Sequence, residues 1–214
     1  MTTTYLPQHF EQQDLSALHD LVDAHPLATW ATLQDGELVV HHVPFMLDRT
    51  RGAFGTLVGH VARANRVWRM PQPSLLVFGG PQAYVSPGWY PSKQEHGKVV
   101  PTWNYAVVHA RGTPVAVQES EAVLAIVSRL TNLHEAAQRR PWQVGDAPAD
   151  YIDKMLQAIV GIEVPVEQLV GKWKVSQNRS GADRAGVATG LREQAPGHPM
   201  AALVAALVAG DGGG

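Results

Sequence analysis

Between Phe78 and Tyr105 the chain reads FGGPQAYVSPGWYPSKQEHGKVVPTWNY, and no other stretch narrows the choice of fold so far. Four prolines and four glycines interrupt it. Proline fixes φ and removes a backbone donor, and glycine opens turn conformations, so the segment is a poor recipe for a helix. The pattern fits two strand ends joined by a shaped loop. Two of the six tryptophans and three of the five tyrosines lie here. Beside the rings stand Ser86, Thr102 and Asn104, with Lys93, His96 and Lys98 between them. Flat rings with hydroxyl, amide and cationic donors suit a planar, polar-fringed ligand carrying a phosphate. The same residues also fit a surface hairpin that packs its aromatics on a core.

The rest of the chain supplies strands for such a hairpin to join. Leu27 to Leu33 and Leu38 to Met46 alternate as strands, and Asp35-Gly36 between them is a strong hairpin signal. Ala53 to Ala62, Ser74 to Gly79, Ala83 to Ser86, Val99 to Arg111, Gly112 to Val117 and Ile162 to Val166 read as further strands. Many short strands with turn signals argue for a barrel. His41 and His42 are adjacent, so a strand points them to opposite faces. Helices are expected at three places. Asp14 caps one whose apolar positions are Leu15, Leu18, Leu21 and Val22, ending near His25-Pro26; Ser120 to Arg140 forms another; Tyr151 to Val160 forms a third. Pro199 to Val208 is a C-terminal helix candidate before a Gly-rich end. Asp183-Arg184 precedes a helix boundary near Gly190-Leu191.

Gly59, His60, Arg63 and Asn65 fall near one strand-to-helix turn. Glycine lets backbone approach a ligand, and arginine beside a helix start holds phosphate. The same turn also reads as an Asn cap with a solvent-facing Arg. Near the C-terminus, LVGKWKVSQNR from Leu169 to Arg179 is a third aromatic and polar block. Alternation sets Trp173, Val175 and Gln177 on one face and Lys172, Lys174 and Ser176 on the other. His134-Glu135 lacks the second histidine of a zinc-binding helix, which favours an ion pair or cap. No metal site is expected.

Composition closes off several classes. The formal net charge of −2 gives no support for a DNA-binding face. No cysteine is present, which excludes disulfides, thiolate metal sites and cysteine nucleophiles. No phosphate-binding P-loop, dinucleotide fingerprint or serine elbow appears. No secretory signal and no membrane-length apolar run is seen, so the expectation is a cytoplasmic protein.

GPQAYVSPGWYPSK, VPTWNY and GKWKVSQNR resemble blocks of the PaiB-like FMN-binding negative transcriptional regulators. The N-terminal Tyr5, Pro7 and Phe10 and the block Gly59 to Asn65 also match that family, although Arg66 stands where the family has proline. The likeness runs from about Tyr5 to about Leu191. It implies a mainly β fold with helices, an α+β split barrel of the flavin-binding superfamily. Residues 1–195 would form one FMN-binding domain with a helical lobe at about 120–160, and 196–214 a C-terminal helix and flexible tail. It implies FMN as cofactor and a homodimer with FMN at the subunit interface. By this resemblance His60, Arg63 and Asn65 hold the phosphate end, and Ser86, Trp89, Thr102, Trp103 and Asn104 line the ring and ribityl region. Trp173 and Gln177 close the site. The resemblance implies a regulator, acting on DNA or through a protein partner. A flavin-dependent oxidoreductase of the NAD(P)H:flavin reductase kind is the alternative, and a haem-binding or flavin-storage protein a third. No catalytic residue is identifiable.

Overall fold

The structure, a computed structural model, describes residues 4–210. In chain order the elements are β1 (Glu11–Gln12), α1 (Leu15–Ala24), β2 (Leu27–Gln34), β3 (Glu37–Asp48), β4 (Thr56–Ala62), β5 (Ser74–Val85), α2 (Ser92–His96), β6 (Thr102–Gly112), β7 (Val115–Val117), α3 (Ser120–Glu135), α4 (Ala149–Gln157), β8 (Ile159–Pro165), β9 (Gln168–Lys174), α5 (Gly181–Gln194) and α6 (Pro199–Gly210). Every recorded strand register is antiparallel, as a fold rich in short turns requires. Two compact units divide the chain. The larger holds 14–78 and 108–169; the smaller holds the remainder, so β5, β6 and β9 each run from one unit into the other. Among the described residues no helix is long and apolar enough to cross a membrane.

In the larger unit the strand order is β5-β2-β3-β4-β8-β7. The β2–β3 hairpin closes through Asp35 and Gly36, both with positive φ (52° and 84°), as a type I′ turn demands. Period-two alternation buries Ala28, Trp30 and Thr32 on one face of β2. Val43 and Phe45 join them from β3, with Leu57 and Val61 from β4 and Ile162 and Val164 from β8. Helix α3 covers the opposite face of the sheet, packing Ile126 and Leu130 on Met46 and Val58. Asp14 caps α1 as its sequence predicts, accepting from the Ser16 amide at 3.0 Å.

The smaller unit orders its strands β1-β9-β6-β5. Its core joins Val85, Tyr90 and Val175 to Val187 and Leu191 of α5 and Met200 and Val204 of α6. Buried Asp183 accepts from the Ser92 amide (3.1 Å) and hydroxyl (2.9 Å), which anchors the start of α2. Helix α5 carries two interior glycines because Trp89 lies against them. A Cβ on Gly190 would stand 2.4 Å from the Trp89 ring, and one on Gly186 2.0 Å from the Trp89 carbonyl oxygen.

Several expected boundaries move. Residues 74–79 and 83–86, expected as two strands, form the single strand β5, because Gly79-Gly80-Pro81 stays extended. The expected helix to Val160 ends at Gln157, since Ile159 and Val160 pair with Ala62 and Val61. The boundary expected near Gly190 is interior to α5, where close approach of Trp89 and not chain reversal explains the glycine. Pro7 is followed by a 3-10 turn, Gln8–Phe10, before β1. The alternation expected to carry Gln177 breaks at Ser176, whose φ of 73° ends the extended run. The tail from 211 lies outside the described residues.

Candidate functional site

In the larger unit the sequence-predicted residues sit where β4 ends. The chain turns through Arg63 and Asn65 into a short 3-10 turn, Arg66–Trp68. The Asn65 side chain caps that turn, its Oδ1 accepting from the Val67 amide at 3.1 Å. Its amide nitrogen is then the donor toward His41 Nδ1, at 3.3 Å. That contact assigns the His41 tautomer: Nδ1 accepts, so Nε2 carries the proton. His41 Nε2 is buried and has no partner. Three other buried polar atoms of this unit share that condition: Trp30 Nε1, Thr32 Oγ1 and His60 Nδ1. Trp30 faces His41 across the β2–β3 hairpin with ring centroids 5.8 Å apart, and Thr32 lies two residues along the same face. His60 faces Gly161 across the β4–β8 pair. Burial pushes His60 below the usual histidine value of 6.5. His41 is lowered by burial first and by the charge of neighbouring His42 second. Both rings are therefore neutral at pH 7, each able to donate and to accept.

Arg63 is engaged by its own unit. Its Nε donates to the Gln157 carbonyl at 2.7 Å, one terminal nitrogen to the Ile159 carbonyl at 3.0 Å and the other to Gln118 Oε1 at 3.4 Å. It thus ties the end of α4 and the start of β8 to the β4 turn. Charge-assisted bonds contribute more than neutral ones, so Arg63→Ala is expected to destabilise the fold by about 1.5–3 kcal/mol. A lowered denaturation midpoint at unchanged m-value checks this. An unchanged midpoint would show that the clasp contributes nothing.

In the smaller unit, most expected ligand residues are bonded within the chain. Ser86 Oγ accepts from the Gly88 amide (3.1 Å) and caps the turn Pro87–Trp89. Trp89 packs on the two glycines of α5. Asn104 is buried and donates to Ser176 Oγ at 2.9 Å. Gln177 accepts from the Val175 amide at 2.7 Å and donates to the Trp173 carbonyl, closing the turn after β9. Thr102 and Trp103 are placed otherwise. Lys174 Nζ donates to Thr102 Oγ1 and, at 2.7 Å, to the Trp103 carbonyl, while the Trp103 ring is 55% exposed. Tyr84 meets that ring edge-on at 6.1 Å. Burial lowers the Lys174 pKa, and the charges of Lys172 and Arg179 lower it further.

His60, Arg63 and Asn65 thus lie in one unit, and Ser86, Trp89, Thr102, Trp103, Asn104, Trp173 and Gln177 in the other. Of the adjacent His41 and His42, one is expected to line the barrel or the ligand site, and the structure buries His41 Nε2; Tyr84 carries no such expectation. Which histidine it is, and the place of Tyr84, carry no signal in the spacing until β3 is registered on β2 and β5 is placed beside β6.

A model of the family described as "Putative FMN-binding domain" matches residues 4–168. The "Protease synthase and sporulation protein PAI 2" of Bacillus subtilis is 27% identical, over 89% of this chain and 90% of the relative. An uncharacterized protein of Emericella nidulans is 30% identical, over 87% of this chain and 90% of its own length. Among solved structures, the FAD and heme binding protein from Mycobacterium smegmatis aligns with a TM-score of 0.54 at 19% identity, covering 77% of this chain and 73% of that one. The flavocytochrome Anf3 from Azotobacter vinelandii aligns at 0.57 and 14% identity, covering 81% and 74%. At such identities the likeness is one of fold: a mainly antiparallel split barrel with helices.

Proposed function

The chain belongs to the family described as "Putative FMN-binding domain", and from that premise we propose that it binds FMN beside the unpaired polar groups of β2, β3 and β4. The observation that carries the reading is the presence of buried donors and acceptors without partners, at Trp30, Thr32 and His41 on one face of the sheet and at His60 on the opposite face of β4. Leaving such groups unpaired costs about 1–3 kcal/mol each. A ligand with alternating ring carbonyls, ring nitrogens and ribityl hydroxyls supplies what they lack, so the donor set fits a flavin. FMN is preferred to FAD on the family description, while the structural neighbours' titles mention FAD and heme. When bound, the flavin would supply one- or two-electron chemistry; these residues bind and orient it. The Nε2 proton of His41 donates, and His60 donates or accepts as its tautomer allows.

Control of gene expression is the cellular role this reading takes, since the Bacillus subtilis relative named for protease synthesis and sporulation spans nearly the whole chain. Reconstitution tests both parts. The protein is titrated with FMN, riboflavin and FAD by flavin fluorescence, then mixed anaerobically with NADH or NADPH, and separately with promoter-length DNA. Tight flavin binding without bleaching supports the regulator. Rapid bleaching would replace it with a reductase, and a haem Soret band in place of flavin would overturn the cofactor.

The reading includes a homodimer. One face of the β2–β3 hairpin carries Leu27, Leu33, Leu38 and Val40 outward, with Leu38 72% exposed. These leucines sit on paired strands and form one apolar stripe, which a second copy would cover. Light scattering is expected to give twice the 23.2 kDa chain mass, and Leu38→Glu to return it to the single-chain value. A single-chain mass for the parent protein at micromolar concentration would refute the dimer.

A further inference from the structure

The smaller unit presents a second surface, independent of the flavin reading. Side chains on β6 alternate, so Asn104 and Ala106 point inward while Trp103 and Tyr105 point outward. On β9 the same alternation gives Lys172 and Lys174 one face. The two faces coincide. Lys172 Nζ is 5.7 Å from the Tyr105 ring centroid, and Lys174 Nζ reaches the Trp103 carbonyl. Tyr84, 47% exposed, extends the aromatic surface from β5. Tyr5 stands over Lys172 at 5.3 Å, and its carbonyl accepts from the same ammonium at 3.1 Å.

Two features of this face go beyond packing. Trp103 and Tyr84 expose flat rings on strands, where a core role would have turned them inward. The lysines are held by neutral oxygens and ring faces, and among the described residues neither has an ion-pair partner. Glu11, the cross-strand neighbour of Lys172, is exposed and accepts from Gln13 Nε2 at 3.2 Å. Arg179 adds a third cation to the field at Lys174. Residues two apart on a strand stand about 6.8 Å apart, so the two ammonium groups offer two adjacent anion positions beside the rings.

We propose that this face binds nucleotides, a base stacking on Trp103 and Tyr84 and phosphate oxygens held by Lys172 and Lys174. Stacking tolerates any base, and lysine reads phosphate as a point charge, so the face recognises nucleotide chemistry without reading sequence. The nucleotide comes either free or as part of a single strand. The net charge of −2 does not weigh against this, because the cations are local to one face.

The test uses the full chain saturated with FMN, or the free protein if no flavin is taken up. A fluorescein-labelled single-stranded thymidine oligonucleotide is titrated by anisotropy at low and physiological salt, and AMP by equilibrium dialysis. Binding is expected, with Tyr84→Ala weakening it roughly fivefold or more, as loss of a base–aromatic stack does. Lys172→Gln and Lys174→Gln are each expected to flatten the dependence of log K on log salt by about 0.7 for the oligonucleotide. Stronger binding of the oligonucleotide than of AMP identifies a strand as the source; equal binding identifies the free nucleotide. Absence of binding to both, or variants that bind as the parent does, overturns the proposal. So does binding seen only without FMN and abolished by it, since the face would then be the flavin's own.

Discussion

Gly186→Ala is expected to destabilise the protein although the substitution improves helix propensity. Position 186 lies inside α5, where replacing glycine by alanine stabilises a helix by about 1 kcal/mol when nothing else changes. Here the new methyl would stand 2.0 Å from the Trp89 carbonyl oxygen and 3.1 Å from Pro91 Cδ. The obstacle is backbone, and its position is set by the Ser86 cap and by the amide of Tyr90, which donates to Pro87. A flexible side chain could swing away; this carbonyl cannot without moving the turn Pro87–Trp89. Overpacking of this kind costs typically 1–3 kcal/mol and exceeds the propensity gain. The expected net loss is up to about 2 kcal/mol, read from the midpoint of urea denaturation at unchanged m-value. A raised midpoint would mean that Trp89 does not rest on α5. Gly190→Ala provides the contrast, because its methyl would meet the Trp89 ring, a side chain with some freedom to tilt. Its loss should be the smaller of the two.

Trp89 also shows where the sequence stops being informative. Local chemistry was legible. Asp35-Gly36 specified its hairpin, Asp14 its cap, and the alternation of Leu27–Gln34 its buried face. Each of these depends on residues within one turn or one strand. The glycines of α5 depend on a tryptophan roughly a hundred positions earlier, so from sequence they read as a helix boundary. The end of α4 has the same cause. Ile159 and Val160 continue an amphipathic pattern, but pairing with β4 draws them into β8. Gly79-Gly80-Pro81 reads as a break, and β5 runs through it into the other unit.

The candidate site was legible to a similar depth. His60, Arg63 and Asn65 were marked by composition and by resemblance, and Asn65 does cap the turn that the sequence predicts. What sequence could not supply was the condition of each group. Arg63 looked like a free cation and is instead bonded to two carbonyls and an amide. His41 looked like one of a pair of adjacent histidines, yet its contact with Asn65 leaves a buried donor unpaired. Whether a polar atom is satisfied depends on neighbours from other strands, and neither spacing nor residue type encodes that.

His60→Leu is expected to separate binding from folding. In this structure His60 Nδ1 is buried with no partner, so at pH 7 the side chain carries an unpaired polar atom. Leucine of comparable size removes that penalty and sacrifices no hydrogen bond seen here. The flavin-free variant is therefore expected to be as stable as the parent at pH 7, or more stable by roughly 1 kcal/mol. Acid adds a second signature. The folded pKa of His60 lies below the unfolded value of 6.5, so the folded state binds fewer protons as the pH falls through that region. Stability linked to His60 is present above pH 6.5 and is lost progressively on acidification toward the folded pKa. His41, lowered in the same direction, adds to the loss in the parent. The variant keeps only the His41 share, and its denaturation midpoint should fall less between pH 7 and the acid side of 6.5. Flavin affinity should move the other way. Losing a hydrogen bond made in a buried site is worth about 1.4 kcal/mol or more, a factor of roughly ten in Kd. A stable variant with weakened flavin binding and a flatter acid limb is the result expected of a ligand-directed imidazole. A variant that loses stability at pH 7 while binding flavin as the parent does would make His60 a structural residue and move the flavin elsewhere.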